Sequence, residues 1–183
     1  GDVHTGGAEG CRRGVSFAVW PGQSHGIAGA TGAGKSTVVS LLCRFYGVQR
    51  GAVLVDGVDV KDWDARDLRR RIGLVQQDVF LFAGTVGDNI SLGDRHMSRQ
   101  RIEAAARDTN ADRFIQRLPH AYDQPVGERG VSLSSGQRQL LSFARVLAAD
   151  PEILVLDEAT ANVDTETEMW IQEAVGRLMR KRT

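Results

Sequence analysis

The sequence predicts an α/β core interrupted by a helical insertion over roughly residues 78 to 150. Three observations carry that expectation. A glycine-rich turn, Gly29 to Ser36, stands between a strand signal and a helix signal. An apolar run, "EILVLDEAT", has the pattern of a strand buried on both faces of a parallel sheet. Between them, most of the residues after "RIGLVQQ" read as short helices.

The elements follow in order. "GVSFAV" (14 to 19) alternates as a strand does, and "SHGIAG" (24 to 29) is expected to be the next strand, with His25 and Gly26 poor strand formers. Helix signals run from Lys35 to Tyr46. "GAVLVDGVDV" reads as strand, Asp-Gly turn, strand. Asp64 is placed to cap a short helix over 65 to 71, and "RIGLVQQ" is a strand. Short helices fill 85 to 117, among them "SRQRIEAAARD" with Ser98 as cap, followed by a loop holding Pro119, Pro125, Gly127 and Gly130. A helix over 135 to 149 stops before Pro151. The last helix, over 165 to 180, has Trp170, Ile171, Ala174, Val175 and Leu178 on its apolar side. No repeat or low-complexity segment interrupts this order.

Composition narrows the function classes. The chain has 183 residues, enough for one domain with a core of its own. Its 23 Lys and Arg balance its 23 Asp and Glu, so no net field attracts nucleic acid or acidic lipid. The densest basic patch, Arg69-Arg70-Arg71, reads as the solvated end of a helix rather than a docking site. Cys11 and Cys43 have no metal-ligand spacing, which fits a reducing compartment with Cys43 in the core. No apolar run approaches a membrane span and no signal peptide opens the chain, so these residues are expected to be soluble. The chain opens on Gly1 rather than Met and closes at the foot of a helix, and both ends read as cut.

Gly29-Ala30-Thr31-Gly32-Ala33-Gly34-Lys35-Ser36, followed by Thr37, fits G-x-x-x-x-G-K-[ST] between a strand and a helix. Glycines allow φ > 0 and bring backbone N–H groups close to phosphate oxygens. The helix N-terminus adds its dipole. Lys35 puts a point charge on the outer phosphates, and the Ser36 hydroxyl is a hard ligand for Mg²⁺. Such a loop needs an acidic partner, and "ILVLDE" supplies one: Asp157 to hold Mg²⁺ through its hydration shell, Glu158 to orient and polarise the attacking water. Thr160 and Asp164 lie just past them, placed either to cap the last helix or to act at the site. At the end of "IGLVQQ", Gln76 or Gln77 could reach the metal or the water. A second helix start, "VSLSSGQRQL" (131 to 140), also has the composition of an anion binder.

Phosphate loop, "VQQD", "LSSGQ", "ILVLDEAT" and "ANVD", in this order and spacing, resemble ABC-type ATPase domains over nearly the whole chain. "LFAGTVGDNI" (81 to 90) and "PVGERG" (125 to 130) are similar to stretches of the exporter branch. The resemblance implies a P-loop NTPase (RecA-like) core, over 1 to 77 and 151 to 183, with a small antiparallel β portion. The helical signature subdomain would occupy 78 to 150. It implies ATP and Mg²⁺ as cofactors, Ser36, Gln77 and Asp157 at the metal, and Glu158 with Gln77 as the catalytic pair. It implies that Ser134, Ser135, Gly136 and Gln137 close over ATP held by a partner domain, with Asp164 in the loop joining the two sites. Arg129 and Glu128 would face the membrane domain. Counting back from Gly29 puts His4 where the family stacks an aromatic on adenine, and Arg12 where it buries an aliphatic side chain. Ser135 replaces the commoner signature glycine.

The function so implied is an ATP-hydrolysing motor that pairs head to tail with a second such domain. It would drive export through a transmembrane domain at the cytoplasmic face of the plasma membrane, with no nucleic acid as partner. Two other readings share the motifs: a weakly hydrolysing regulatory half of a heterodimer, and a soluble ABC ATPase outside transport. No histidine follows His120, so the family's late switch histidine is missing. Residues 1 to 183 alone are therefore expected to bind nucleotide weakly and turn it over slowly.

Overall fold

A computed structural model describes residues 15–28, 34–76, 78–126, 132–157 and 165–179. The chain packs as two compact units, one within Gly1–Ile72 and one within Gly73–Lys181.

In the first unit, helix α1 spans Lys35–Leu42. It is shorter than the helix expected to reach Tyr46, because the chain leaves the helix at Arg44, whose φ is 53°. Arg44 N–H then donates to Leu41 O (3.1 Å) and Phe45 N–H to Ser40 O (2.8 Å). That is a Schellman closure with arginine in the place usually held by glycine. The two-stranded antiparallel hairpin β1 (Leu54–Val55) and β2 (Val58–Asp59) follows. Its turn residues Asp56 and Gly57 have φ of 52° and 78°. Two positive φ angles are what a two-residue hairpin of right-handed twist requires, and Asp-Gly supplies them at low cost. Helix α2 (Ala65–Arg71) starts as expected on Asp64, whose side chain accepts from Arg66 N–H and Asp67 N–H.

The strands expected over 14–19 and 24–29 do not form among the described residues. Only Val15 makes a bridge, Trp20 to Gln23 turn on Gly22, and residues 20–28 are exposed. His25 and Gly26 offer little to pack on a sheet, so backbone pairing here would bring almost no side-chain burial with it.

Strand β3 (Ile72–Val75) begins on the last residue of the first stretch and runs into the second unit, and its neighbour is β6 (Ile153–Leu156). Asp157 N–H donates to Val75 O at 2.9 Å, one residue past the end of β6. Ile153 to Val155 are half-buried and Leu156 is exposed, so β6 is less covered than the two-face burial expected of it. One neighbouring strand among the described residues is the reason. A short antiparallel pair, β4 (Gly84–Thr85) with β5 (Pro125–Val126), lies within the helical stretch.

Helices α3 (Val86–Ser91), α4 (Arg99–Asp108), α5 (Asp112–Ile115), α6 (Ser135–Ala149) and α7 (Thr165–Leu178) build the core of this unit. Buried Ile102, Ala105 and Ala106 form one stripe of α4, and Thr167, Trp170, Ile171, Ala174 and Leu178 one stripe of α7. Both stripes follow the 3.6-residue period. Helix α6 is buried on most of its circumference, with Leu140, Leu141 and Ala144 at zero exposure. Fully burying a leucine is worth about 1.5–3 kcal/mol, so α6 is the central rod of the unit.

Helix ends in both units are closed by arginines from neighbouring elements. Arg69 donates to Cys43 O and Arg44 O at the end of α1. Arg101 donates to Ala148 O at the end of α6, and Arg177 to Asp108 O at the end of α4. Each puts a cation where unpaired carbonyls and the negative end of the helix dipole meet. The Arg69-Arg70-Arg71 patch is therefore only in part a solvated helix end. Arg69 also lies over the Phe45 ring, Arg71 lies over the Trp63 ring, and Arg70 is largely in solvent.

Candidate functional site

Two helix starts bear residues expected to contact phosphate, and they are built differently. Gly34 caps α1 with φ 87°, and being glycine it brings no side-chain acceptor. A β-carbon at that φ would be strained, which is the reason for glycine here. Lys35, Ser36 and Thr37 form the first turn of α1, with Ser36 exposed and Lys35 and Thr37 half-buried. Gly29, Ala30, Thr31, Gly32 and Ala33 lie outside the described residues.

The other start is closed on itself. Ser134 caps α6; its Oγ accepts from Gln137 N–H (3.2 Å), and Gln137 Oε1 accepts from Ser134 N–H (3.0 Å). This reciprocal capping box uses the Ser134 Oγ as an acceptor and does not use its O–H as a donor. Gly136 is buried at the second helical position, Ser135 is exposed, and Gln137 is half-buried with its carbonyl oxygen engaged. Neither α1 nor α6 has an acidic residue in its first turn, whereas α2, α3, α5 and α7 do. Helix α4 shares that lack, under a Ser98 cap that accepts from Arg101 N–H. An acid in the first turn would partly cancel the positive end of the dipole; at α1 and α6 it stays available to an anion.

Asp157 stands exposed at the end of β6, its backbone pinned to β3. Gln76, exposed, closes β3. Gln77, Glu158, Thr160, Asp164, His4, Arg12, Glu128 and Arg129 lie outside the described residues. Among the described residues no cluster of His, Cys, Asp and Glu forms a ready metal cage. Mg²⁺ takes few protein oxygens and relies on water and phosphate. The serine hydroxyl of Ser36 and the carboxylate of Asp157 are hard oxygen donors of the right kind.

Sequence reasoning missed Arg145 and Asn89. Arg145, on α6, donates to Asn89 O, Phe80 O and Asn89 Oδ1 at 2.7, 2.7 and 2.8 Å. Burial pulls its guanidinium below the ordinary arginine value. Asn89 has no exposure, and its side chain holds the backbone of Phe82 and Thr85. The available signal was an asparagine inside "TVGDNIS", a helical pattern where asparagine gains nothing by propensity.

Residues 12–161 match the family model described as ABC transporter. The chain belongs to the ABC transporter family. An ATP-dependent lipid A-core flippase of Aromatoleum aromaticum is 51% identical over 170 residues, 92% of this chain and 28% of that protein. A Bacillus subtilis protein named "Probable multidrug resistance ABC transporter ATP-binding/permease protein YheH" is 47% identical, over 92% of this chain and 25% of its own. Among solved structures, a bacterial Atm1-family ABC exporter with ATP bound superposes with a TM-score of 0.84 at 43% identity, covering 93% of this chain and 30% of that one. The chain thus spans less than a third of the length of the relatives it matches. Its fold is the P-loop NTPase fold of an ABC ATPase domain, with mixed α/β structure. The relatives it matches include ATP-binding proteins of ABC exporters, and ABC ATP-binding domains are ATP hydrolases. Among the described residues no helix is long and apolar enough to cross a membrane.

Proposed function

We propose that the chain is the motor domain of an exporter, converting ATP binding and hydrolysis into movement of a transmembrane domain. In this reading the Gly29–Thr37 loop and Lys35 hold the phosphates. Ser36, Gln77 and Asp157 position Mg²⁺, which supplies charge neutralisation at the β- and γ-phosphate oxygens. Glu158 holds the attacking water, and Gln77 senses it. His4 lies against adenine. The motif-bearing core runs over 1–77 and 151–183, and the signature subdomain over 78–150.

The observation that carries the reading is the pair of unlike helix starts. One chain has little use for two γ-phosphate binders on one nucleotide. A glycine-capped start bears the phosphate loop, and a self-capped start bears Ser134-Ser135-Gly136-Gln137. Shared between two domains related by a two-fold axis, each nucleotide meets one start from each. Asp164 then sits in the loop between the sites. Removal of the γ-phosphate by hydrolysis removes the charge that both starts hold, and the pair separates. The relative named ATP-binding/permease supports a transmembrane partner on the same polypeptide. In this reading the domain works at the cytoplasmic face of the membrane.

Gly136→Asp tests this. The buried glycine of α6's first turn would become an anion facing the partner's γ-phosphate. In the intact parent carrying Glu158→Gln to hold ATP, the expected result is loss of ATP-driven domain pairing. Nucleotide binding to the unpaired domain should stay within about twofold, because its own phosphate loop is untouched. Size-exclusion chromatography with and without Mg-ATP, beside a fluorescent-nucleotide titration, measures both. An equal fall in unpaired binding would sink the shared-site reading.

A further inference from the structure

Helix α6 does more than present its start. Ten residues further along, Arg145 crosses to the segment that follows the expected glutamine residue. Its Nε, Nη1 and Nη2 each donate, to Asn89 O, Phe80 O and Asn89 Oδ1. Asn89 completes the joint: Oδ1 also accepts from Phe82 N–H (2.9 Å), and Nδ2 donates to Phe82 O (2.9 Å) and Thr85 O (3.0 Å). Except for the Arg145–Asn89 side-chain bond, these contacts go to backbone, so the joint fixes the course of residues 80–85. The planar guanidinium matches three separated acceptors at once, which a lysine cannot do. Opening the bonds at fully buried Asn89 would leave buried polar atoms unmet, so that part of the joint holds or releases as a unit.

The outer side of this segment is apolar. Phe80 and Phe82 are 70% and 51% exposed and meet edge to face with centroids 5.1 Å apart. Arg145 lies 5.6 Å from the Phe82 ring. One rigid rod therefore bears Ser134–Gln137 at its start and, through a hydrogen-bonded joint in its later half, this aromatic edge.

We propose that Arg145 is a positioning residue which, through Asn89, makes residues 80–85 move as one body with α6, so that closure of a nucleotide on Ser134–Gln137 displaces the Phe80–Phe82 surface. The inference rests on the shared-site reading above. Arg145 touches no nucleotide in this scheme and acts only through the joint.

Amide hydrogen exchange in the intact parent carrying Glu158→Gln, with and without Mg-ATP, tests it. In the parent, nucleotide should slow exchange over 132–140 and over 80–90, each on the order of tenfold, the scale of a typical coupling between sites. In Arg145→Met, slowing over 132–140 should persist while the response over 80–90 drops below about twofold. Arg145→Lys, which keeps charge and stem, should behave likewise and serves where Arg145→Met does not fold. If both variants retain the full nucleotide response over 80–90, the joint is merely structural and the proposal is overturned. Slowing over 132–140 with none over 80–90 in the parent itself overturns the coupling alone. No slowing over 132–140 in the parent overturns the shared site and the coupling with it.

Discussion

Gly73, inside β3, shows how one missing side chain sets the packing of an element. A β-carbon there would lie 2.5 Å from Pro151 Cγ and 2.6 Å from Val146 Cγ1. The proline ring cannot rotate away, and Val146 is held in α6. Gly73→Ala is therefore expected to destabilise by about 1–3 kcal/mol, as overpacking does. A thermal melt should show a drop of several degrees, and an unchanged melting temperature would mean that Pro151 yields. In the sequence, "RIGLVQQ" reads as a strand and nothing in it singles out this glycine. Its reason lies in a proline 78 positions away, and no local pattern reports that.

At the scale of the element, helix starts decide much of this fold, and they were the most legible feature. Asp64, Ser98 and the Ser134–Gln137 box all follow from residue type and a three-residue spacing. The Thr85–Asp88 box at α3 has the same logic. Asp88 Oδ2 accepts from Thr85 N–H and Oγ1–H, while Thr85 Oγ1 accepts from Asp88 N–H. These bonds, the backbone one first, hold the Asp88 carboxyl below its usual value. Its contribution is thus complete above about pH 5, where an unfolded aspartate is ionised, and is lost as pH falls through the depressed folded value. Asp88→Asn should cost about 0.5–1 kcal/mol at pH 7, a capping term reduced by solvent screening. The variant should also lose less stability than the parent between pH 5 and pH 3 in denaturant titrations; a parallel acid limb would contradict this. Helix ends were less legible. Arg69, Arg101, Arg145 and Arg177 close carbonyls belonging to other elements, a long-range pairing that sequence period cannot reveal. Strands were the least legible: the alternation over 14–19 and the strand expected over 24–29 lead to no strand among the described residues.

For the whole molecule, charge and exposed aromatics act together. Lys and Arg balance Asp and Glu at 23 each, and the sequence pI is about 7.1. Trp20, Tyr46 and Phe80 are each about two-thirds exposed. Without net repulsion, such surface favours association. Light scattering by the purified chain should be greatest near pH 7 and fall by pH 9, where net charge is negative. Scattering independent of pH would show that association does not depend on net charge.

The self-capped start of α6 also bears on speed. Ser134 and Gln137 already satisfy one another, so the signature turn needs no ordering when it meets a phosphate. Binding steps that order nothing have little conformational entropy to overcome. Pairing of two nucleotide-loaded domains should then be limited by how often they meet in the right orientation, with rearrangement of this turn contributing little to the wait.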